Sequence, residues 1–269
     1  FDTDLDVWRE SDRGLSPIET ALGITLPELD GAIEPLFVGG FERSADPEFG
    51  SVKTPAAIPE RIEKLGSRVL KRLALRRRPN AEKKLAVITY SYPPGEGNLA
   101  SAGYLDVFKS LEVFFARLER EGFRVTMPDI PMKDLFLSAG LINSPDYLER
   151  AGVRISLETY EGWFRELPES LQQDMIRCWG EPPGDIMVEG GDLLLPVAAL
   201  GNIVLGVQPS RGVHEDDHGA YHDKTLPPHH QYLAFYRYLE RTFGADALGH
   251  FGMHGSLEFM KGKDTALSA

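Results

Sequence analysis

Three short apolar runs constrain the fold most: KLAVITYS (84–91) and GNIVLGVQP (201–209), both with β-branched residues, and ADALGHFG (245–252). Each has the length of a strand and ends in a turn-forming loop, and segments of helical period lie between them. GYLDVFKSLEVFFARLEREGF places apolar side chains at 105, 108, 111, 114, 115 and 118, with Gly122 as a stop. PPHHQYLAFYRYLERTFG (227–244) opens on prolines, carries an apolar stripe through 233, 235, 236, 239 and 243, and closes on Gly244. This alternation predicts an α/β fold: a mainly parallel sheet flanked by helices, preceded by an irregular N-terminal segment.

Residues 1–56 show little periodicity apart from AIEPLFVGG (32–40), read as a short strand. IPERIEKLGSRVLKRLALRRR (58–78) repeats its apolar residues near every 3.6 positions and predicts a long amphipathic helix with Pro59 in its first turn. FRVTMPDIP (123–131) reads as a further strand, and 132–180 as several short helices. The expected organisation is an N-terminal segment with the long helix over 1–82 and an α/β domain over 83–269. Phe1 stands where an initiator methionine would, and the chain stops just past its richest motif, so the expectation is a piece of a longer polypeptide.

With 29 basic against 41 acidic residues the net charge is −12, which repels a nucleic-acid backbone. The one basic run, KRLALRRRPNAEKK (71–84), reads as a solvated helix face. A single cysteine, Cys178, excludes an internal disulfide and any multi-cysteine zinc ribbon; beside Trp179 in a helical pattern it reads as a small buried thiol. No stretch approaches the roughly 20 apolar residues of a membrane helix, so no membrane span and a cytoplasmic location are expected.

All seven histidines fall between residues 214 and 254, with Glu215, Asp216, Asp217, Asp223 and Glu258 among them. Histidine titrates near neutral pH and is the commonest metal ligand, so this region is the functional candidate. In a parallel sheet the loops beyond the strands' carboxyl ends line the ligand crevice, here YPPGEGN (92–98), QPSRG (208–212) and HFGMHGS (250–256).

In HFGMHGSLEF, Ser256 can cap a helix that projects Glu258 one turn beyond His254, with His250 at the strand end. Transient acid/base or metal-handling work, a structural bend with satisfied histidines, and a fixed metal site all fit. A metalloprotease-type zinc site is disfavoured, because Phe251 follows His250 where that motif has its glutamate. His214, His218 and His222 suit either one helix face or a surface loop. His229 and His230 open a helix, whose positive end favours neutral imidazole. YPPGEGN lacks the lysine and spacing of a P-loop. The aromatics of QYLAFYRYL fall at helical spacing and read as core.

LPELDGAIEPLFVGG (26–40), YSYPPGEGNLASAGYLDVFKSL (90–111), GNIVLGVQPSRG (201–212), YHDKTLPPHHQYLAFYRYLERTFGADAL (221–248) and HFGMHGSLEFMKGK (250–263) together resemble the large subunit of the ATP-dependent cobaltochelatase and magnesium chelatase family. The resemblance runs in order along nearly the whole chain and implies a middle segment of that subunit. It implies insertion of a divalent metal into a tetrapyrrole, corrin or porphyrin. ATP would be bound by separate partners, an AAA+ ATPase subunit and a subunit with a metal-adhesion domain.

Residues 221–239 look like the cobalt branch, which makes cobalamin. Residues 92–108 and 250–260 look more like the magnesium branch, which makes chlorophyll. Cobalt is favoured, and Lys261 stands where the family usually has proline.

Metal insertion requires two inner pyrrole protons to leave and the ion to shed water, hence a general base and a transient ligand. His254 and Glu258 are the candidates for catalysis and for transient metal binding, and Glu258 matches the glutamate of the family's His-Gly-Ser-Leu-Glu motif. His250 is the third catalytic candidate. His229, His230, Tyr92, Gln208 and Arg211 are candidate substrate contacts. A tetrapyrrole-binding scaffold without catalysis is the alternative.

Overall fold

The computed structural model describes all residues except 1–2, 34, 47, 92–99, 101–102, 128, 213–222, 224, 253–259, 264 and 266–269, and the side chains at 147 and 148. The chain divides into two compact units, one of Phe1–Arg76 with Gly262–Ala269 and one of Arg77–Lys261.

The first unit opens with α1 (Leu5–Glu10), whose N-terminus is capped by the Asp4 carboxylate, which accepts from the N–H groups of Asp6 and Val7. A helical run follows as α2 (Pro17–Thr20), a π turn (Ala21–Thr25) and α3 (Leu26–Leu29). Then come an antiparallel hairpin, β1 (Gly39–Asp46) and β2 (Gly50–Ala57), and the long helix α4 (Pro59–Arg77). The strand expected over 32–40 begins only at Gly39. Leu5, Trp8 and Ile58 form a small core. Arg61 is buried beside it, its guanidinium 5.4 Å from the Trp8 ring centroid and donating to the Phe37 carbonyl.

The second unit contains β3 (Leu85–Thr89), α5 (Val107–Arg120), α6 (Met132–Ser138), β4 (Val153–Ile155), α7 (Leu157–Phe164) and α8 (Glu169–Trp179). After these come β5 (Val188–Glu189), β6 (Asp192–Leu195), β7 (Val197–Leu200), β8 (Ile203–Val207), α9 (His230–Arg237) and β9 (Ala247–His250). The main sheet has the order β7-β8-β3-β9 and a smaller one the order β4-β6-β5.

The fold is mixed α/β, and the mainly parallel sheet of the sequence reading is corrected. Parallel pairing joins β3 to β8 and β9, while β7–β8 and the whole small sheet are antiparallel. The reason lies in link length. Only Gly201 and Asn202 separate β7 from β8, and a link that short permits a hairpin but no crossover. Gly201 sits in this turn at φ 76°, a conformation that favours glycine. The crossover from β8 to β9 has room for a helix, and α9 lies in it.

Alternation along β3 and β8 splits their side chains between two cores. Val87, Ile203, Leu205 and Val207 pack with Leu111 and Phe115 of α5 and Phe136 of α6. Ala86, Ile88 and Val204 pack with Tyr160 of α7 and Phe235 of α9. Each large apolar side chain buried this way contributes roughly 1.5–3 kcal/mol. Gly206 lets α9 approach: a Cβ there would lie 2.9 Å from Cζ of Phe235. Asp246 fastens the start of β9, accepting from the Lys84 N–H at 2.8 Å and pairing with Arg78.

Two further expectations change. The strand expected over 123–131 reduces to an isolated bridge between Val125 and Gly201. Cys178 is exposed, not buried, because Leu171, Met175 and Trp179 recur every four residues and take the inward stripe of α8. Among the described residues no helix is long and apolar enough to cross a membrane.

Candidate functional site at the strand ends

Because β8, β3 and β9 run parallel, their carboxyl ends lie side by side, with Thr89 opposite Val207 and Ile88 opposite His250. The pairing continues one step further on both sides of β3. The N–H of Gln208 donates to Thr89 O at 2.8 Å and that of Phe251 to Ile88 O at 2.7 Å. The three segments that lead into YPPGEGN, QPSRG and HFGMHGS therefore start from one edge, and β3 is the middle strand.

On the β8 side, Gln208 is 2% exposed, and its amide nitrogen donates to the hydroxyls of Tyr232 at 3.0 Å and Tyr236 at 2.6 Å. Both tyrosines come from α9, one turn apart, so the helix that closes the crossover also supplies a polar lining to the strand end. His250, exposed at the end of β9, lies against Tyr236: its Nε2 is 3.4 Å from the hydroxyl, and the rings stack 6.4 Å apart at 21°.

His229 is the N-cap of α9. Its Nδ1 accepts from the N–H of Tyr232 at 3.2 Å, and its Nε2 donates to the carbonyl of Ser210 at 2.7 Å. That pair of bonds selects the neutral tautomer with its proton on Nε2. It ties the QPSRG segment to the helix. Arg211, 2% exposed, donates to the carbonyls of Asp223 at 2.8 Å and Leu226 at 3.3 Å, and so ties the end of the QPSRG segment to residues that precede α9. The Asp223 carboxyl is held below its ordinary range by hydrogen bonds from the Thr225 hydroxyl and N–H.

His230 faces another way. Its ring is buried against Tyr160 and Phe164 of α7. Nε2 donates to Gly180 O at 2.9 Å and Nδ1 lies 2.7 Å from the Tyr160 hydroxyl. Burial pushes its pKa down, while the bond to Gly180 O and the Glu181 charge push the other way. Burial also raises the pKa of Tyr160 above the ordinary tyrosine range. The sequence reading attributed a neutral His230 to the helix end, but the dominant cause is desolvation.

Of the sequence-derived candidates, the structure brings Gln208, Arg211, His229 and His250 around the strand ends and turns His230 into the second core. Tyr92, His254, Glu258 and Ser256 lie outside the described residues, as do His214, His218 and His222. Among the described residues no group of three or more His, Cys, Asp or Glu side chains could hold a metal ion. Tyr232 is buried and Tyr236 packs against the second core, as their helical spacing implied, and both hydroxyls in addition accept from Gln208.

The arrangement can present a base and hydrogen-bonding groups to a ligand lying across the strand ends. The whole chain, residues 1–269, matches the CobN/Magnesium Chelatase family. It is 35% identical to the chloroplastic magnesium-chelatase subunit ChlH of Oryza sativa, over 97% of this chain and 18% of that protein. It is 32% identical to the aerobic cobaltochelatase subunit CobN of Pseudomonas aeruginosa, over 98% of this chain and 22% of that protein. A solved structure, the catalytic subunit of cobaltochelatase from Mycobacterium tuberculosis, superposes with a TM-score of 0.82 at 30% identity, covering 100% of this chain and 23% of that one. The chain thus spans about a fifth of the length of the relatives it matches. With a family match along its entire length and this agreement in fold, the chain belongs to the CobN/Magnesium Chelatase family.

Proposed function

We propose that this chain is the segment of a chelatase large subunit that performs insertion of a divalent metal into a tetrapyrrole, with cobalt as the favoured ion and a corrin ring as the acceptor. The observation that carries the reading is the parallel register that brings the carboxyl ends of β8, β3 and β9 to one sheet edge. Family membership supplies the reaction class.

In this reading the macrocycle lies across the strand ends. The inner N–H groups of the ring give up their protons to a base before the dication binds: a corrin has one to lose and binds as a monoanion, a porphyrin two and binds as a dianion. Glu258 takes a proton from the ring and passes it to solvent before it accepts another, His254 holds the ion transiently as it loses water, and His250 assists from the end of β9. Mixed nitrogen and oxygen ligands with open positions suit an ion that must be released, whereas a closed cage would retain it. Gln208, Arg211 and His229 fix the wall on the β8 side, and Tyr92 opens the middle loop against the ring. ATP acts through partner subunits, an AAA+ ATPase and a metal-adhesion-domain subunit.

Magnesium insertion into a porphyrin is the second reading, favoured by the sequence of residues 92–108 and 250–260. Steady-state insertion by the full-length subunit with its partners, with cobalt and magnesium supplied separately, tests both. ATP-dependent cobalt insertion into a corrin ring is expected. Tetrapyrrole binding without insertion of either metal would leave only a scaffold.

A further inference from the structure

Helical spacing places Tyr236 among the core aromatics of α9, yet its hydroxyl belongs to a polar chain that crosses the sheet edge. Gln208 Nε2 donates to it at 2.6 Å, and His250 Nε2 lies 3.4 Å beyond. The second hydrogen of the same amide goes to Tyr232, itself 3% exposed, at 3.0 Å. The amide therefore cannot turn away without breaking two bonds, one of them deep in the protein. Residues following β8, residues of α9 and the last residue of β9 are joined in this way.

The donor and acceptor roles follow from the chemistry. An amide nitrogen only donates, so the phenol oxygen of Tyr236 accepts from Gln208. The phenol's own hydrogen is then directed to another acceptor, and the Nε2 lone pair of His250 is within reach. A neutral imidazole that accepts at Nε2 carries its proton on Nδ1. Ring stacking at 21° restricts rotation of the same imidazole.

We propose that Tyr236 is a positioning residue which, oriented by Gln208, holds His250 in one ring orientation as its Nδ1–H tautomer. The inference rests on the reading of His250 as an assistant in metal insertion and adds what prepares it for that work. Proton transfer requires donor and acceptor at hydrogen-bond distance, and a histidine at an exposed strand end meets that condition only when held.

The test reads the tautomer and the reaction separately. Imidazole-labelled nitrogen-15 spectra of the 269-residue chain, recorded above the histidine titration, identify which ring nitrogen carries the proton, and His250→Gln assigns the signal. The wild type is expected to show His250 protonated on Nδ1. Tyr236→Phe keeps the stacked ring and removes the hydroxyl; it is expected to shift His250 toward the Nε2–H form that a free histidine side chain prefers. Gln208→Leu, which leaves the phenol but removes its orienting donor, is expected to shift it in the same direction. In the full-length enzyme Tyr236→Phe should lower kcat for insertion about tenfold with the tetrapyrrole KM unchanged within about twofold. An Nε2–H signal in the wild type, or an unchanged tautomer in both variants, overturns the proposal. A shifted tautomer with an unchanged insertion rate supports the positioning of His250 and overturns instead its role in the reaction.

Discussion

The backbone N–H of Phe251 donates to the carbonyl of Ile88 at 2.7 Å, one step beyond the last residue pair of β9 and β3. That bond carries the start of the 250–263 motif onto the edge shared with Gln208, whose N–H binds Thr89 O on the opposite side of β3. The site therefore depends on how well the sheet and α9 are seated, and the first predictions concern that seating.

Gly206 has Phe235 against the position of its missing side chain, with Cζ 2.9 Å and Cε2 3.1 Å from an added Cβ. Gly206→Val pushes the aromatic ring, and α9 with it, off the sheet. Overpacking of this kind costs about 1–3 kcal/mol. Urea unfolding should show a lowered midpoint with an unchanged slope.

Tyr160→Phe removes the hydroxyl 2.7 Å from Nδ1 of the buried His230 and leaves that nitrogen unpaired. The expected loss is about 1–3 kcal/mol. The same denaturation measurement checks it, and a change within about 0.5 kcal/mol would mean that water replaces the hydroxyl.

His230 also sets a pH dependence. Its folded pKa is depressed below the ordinary 6.5, chiefly by burial, so between the two values the unfolded chain binds a proton that the folded protein does not. Stability from this group is fully present above about pH 6.5 and is lost as the pH falls below it. Thermal unfolding followed at pH 7.5 and at successively lower pH should show the midpoint falling, and His230→Leu should flatten that fall. Tyr160 stays protonated throughout, and Glu181 acts against the shift.

In the first unit, Arg61 is 1% exposed, lies 5.4 Å from the Trp8 ring centroid and 5.9 Å from that of Phe37, and donates to the Phe37 carbonyl. Arg61→Leu removes a desolvated cation–π contact and a charged hydrogen bond together, at a cost of about 2–4 kcal/mol. Loss of the Trp8 near-ultraviolet signal at lower urea than in the wild type is the expected result.

Two of the strands that build the site, Leu85–Thr89 and Ile203–Val207, were legible because they are buried and read as continuous runs with β-branched residues, whereas the third, Ala247–His250, is mostly exposed. Helix α9 was legible from its stripe and its opening prolines. The hairpin of β1 and β2 was not. GGFERSAD and GSVKTPAA are largely exposed, so their pairing rests on backbone bonds that leave little trace in side-chain pattern. The turn did leave a trace in Asp46, whose Oδ1 accepts from the N–H groups of Glu48 and Phe49 at 2.8 Å each. Of the clustered histidines, His229 and His250 lie near the carboxyl ends of β8 and β9. The clustering could not separate His229 from its neighbour His230, because adjacent residues on a helix start point in different directions and only tertiary packing decides which core receives each.

The most direct measurement is the insertion rate of Glu258→Gln in the full-length subunit assembled with its partners, with tetrapyrrole affinity measured on the same preparation. If Glu258 accepts the pyrrole protons, kcat falls at least about a hundredfold while the affinity stays within about twofold. An unchanged insertion rate at unchanged affinity would contradict the account.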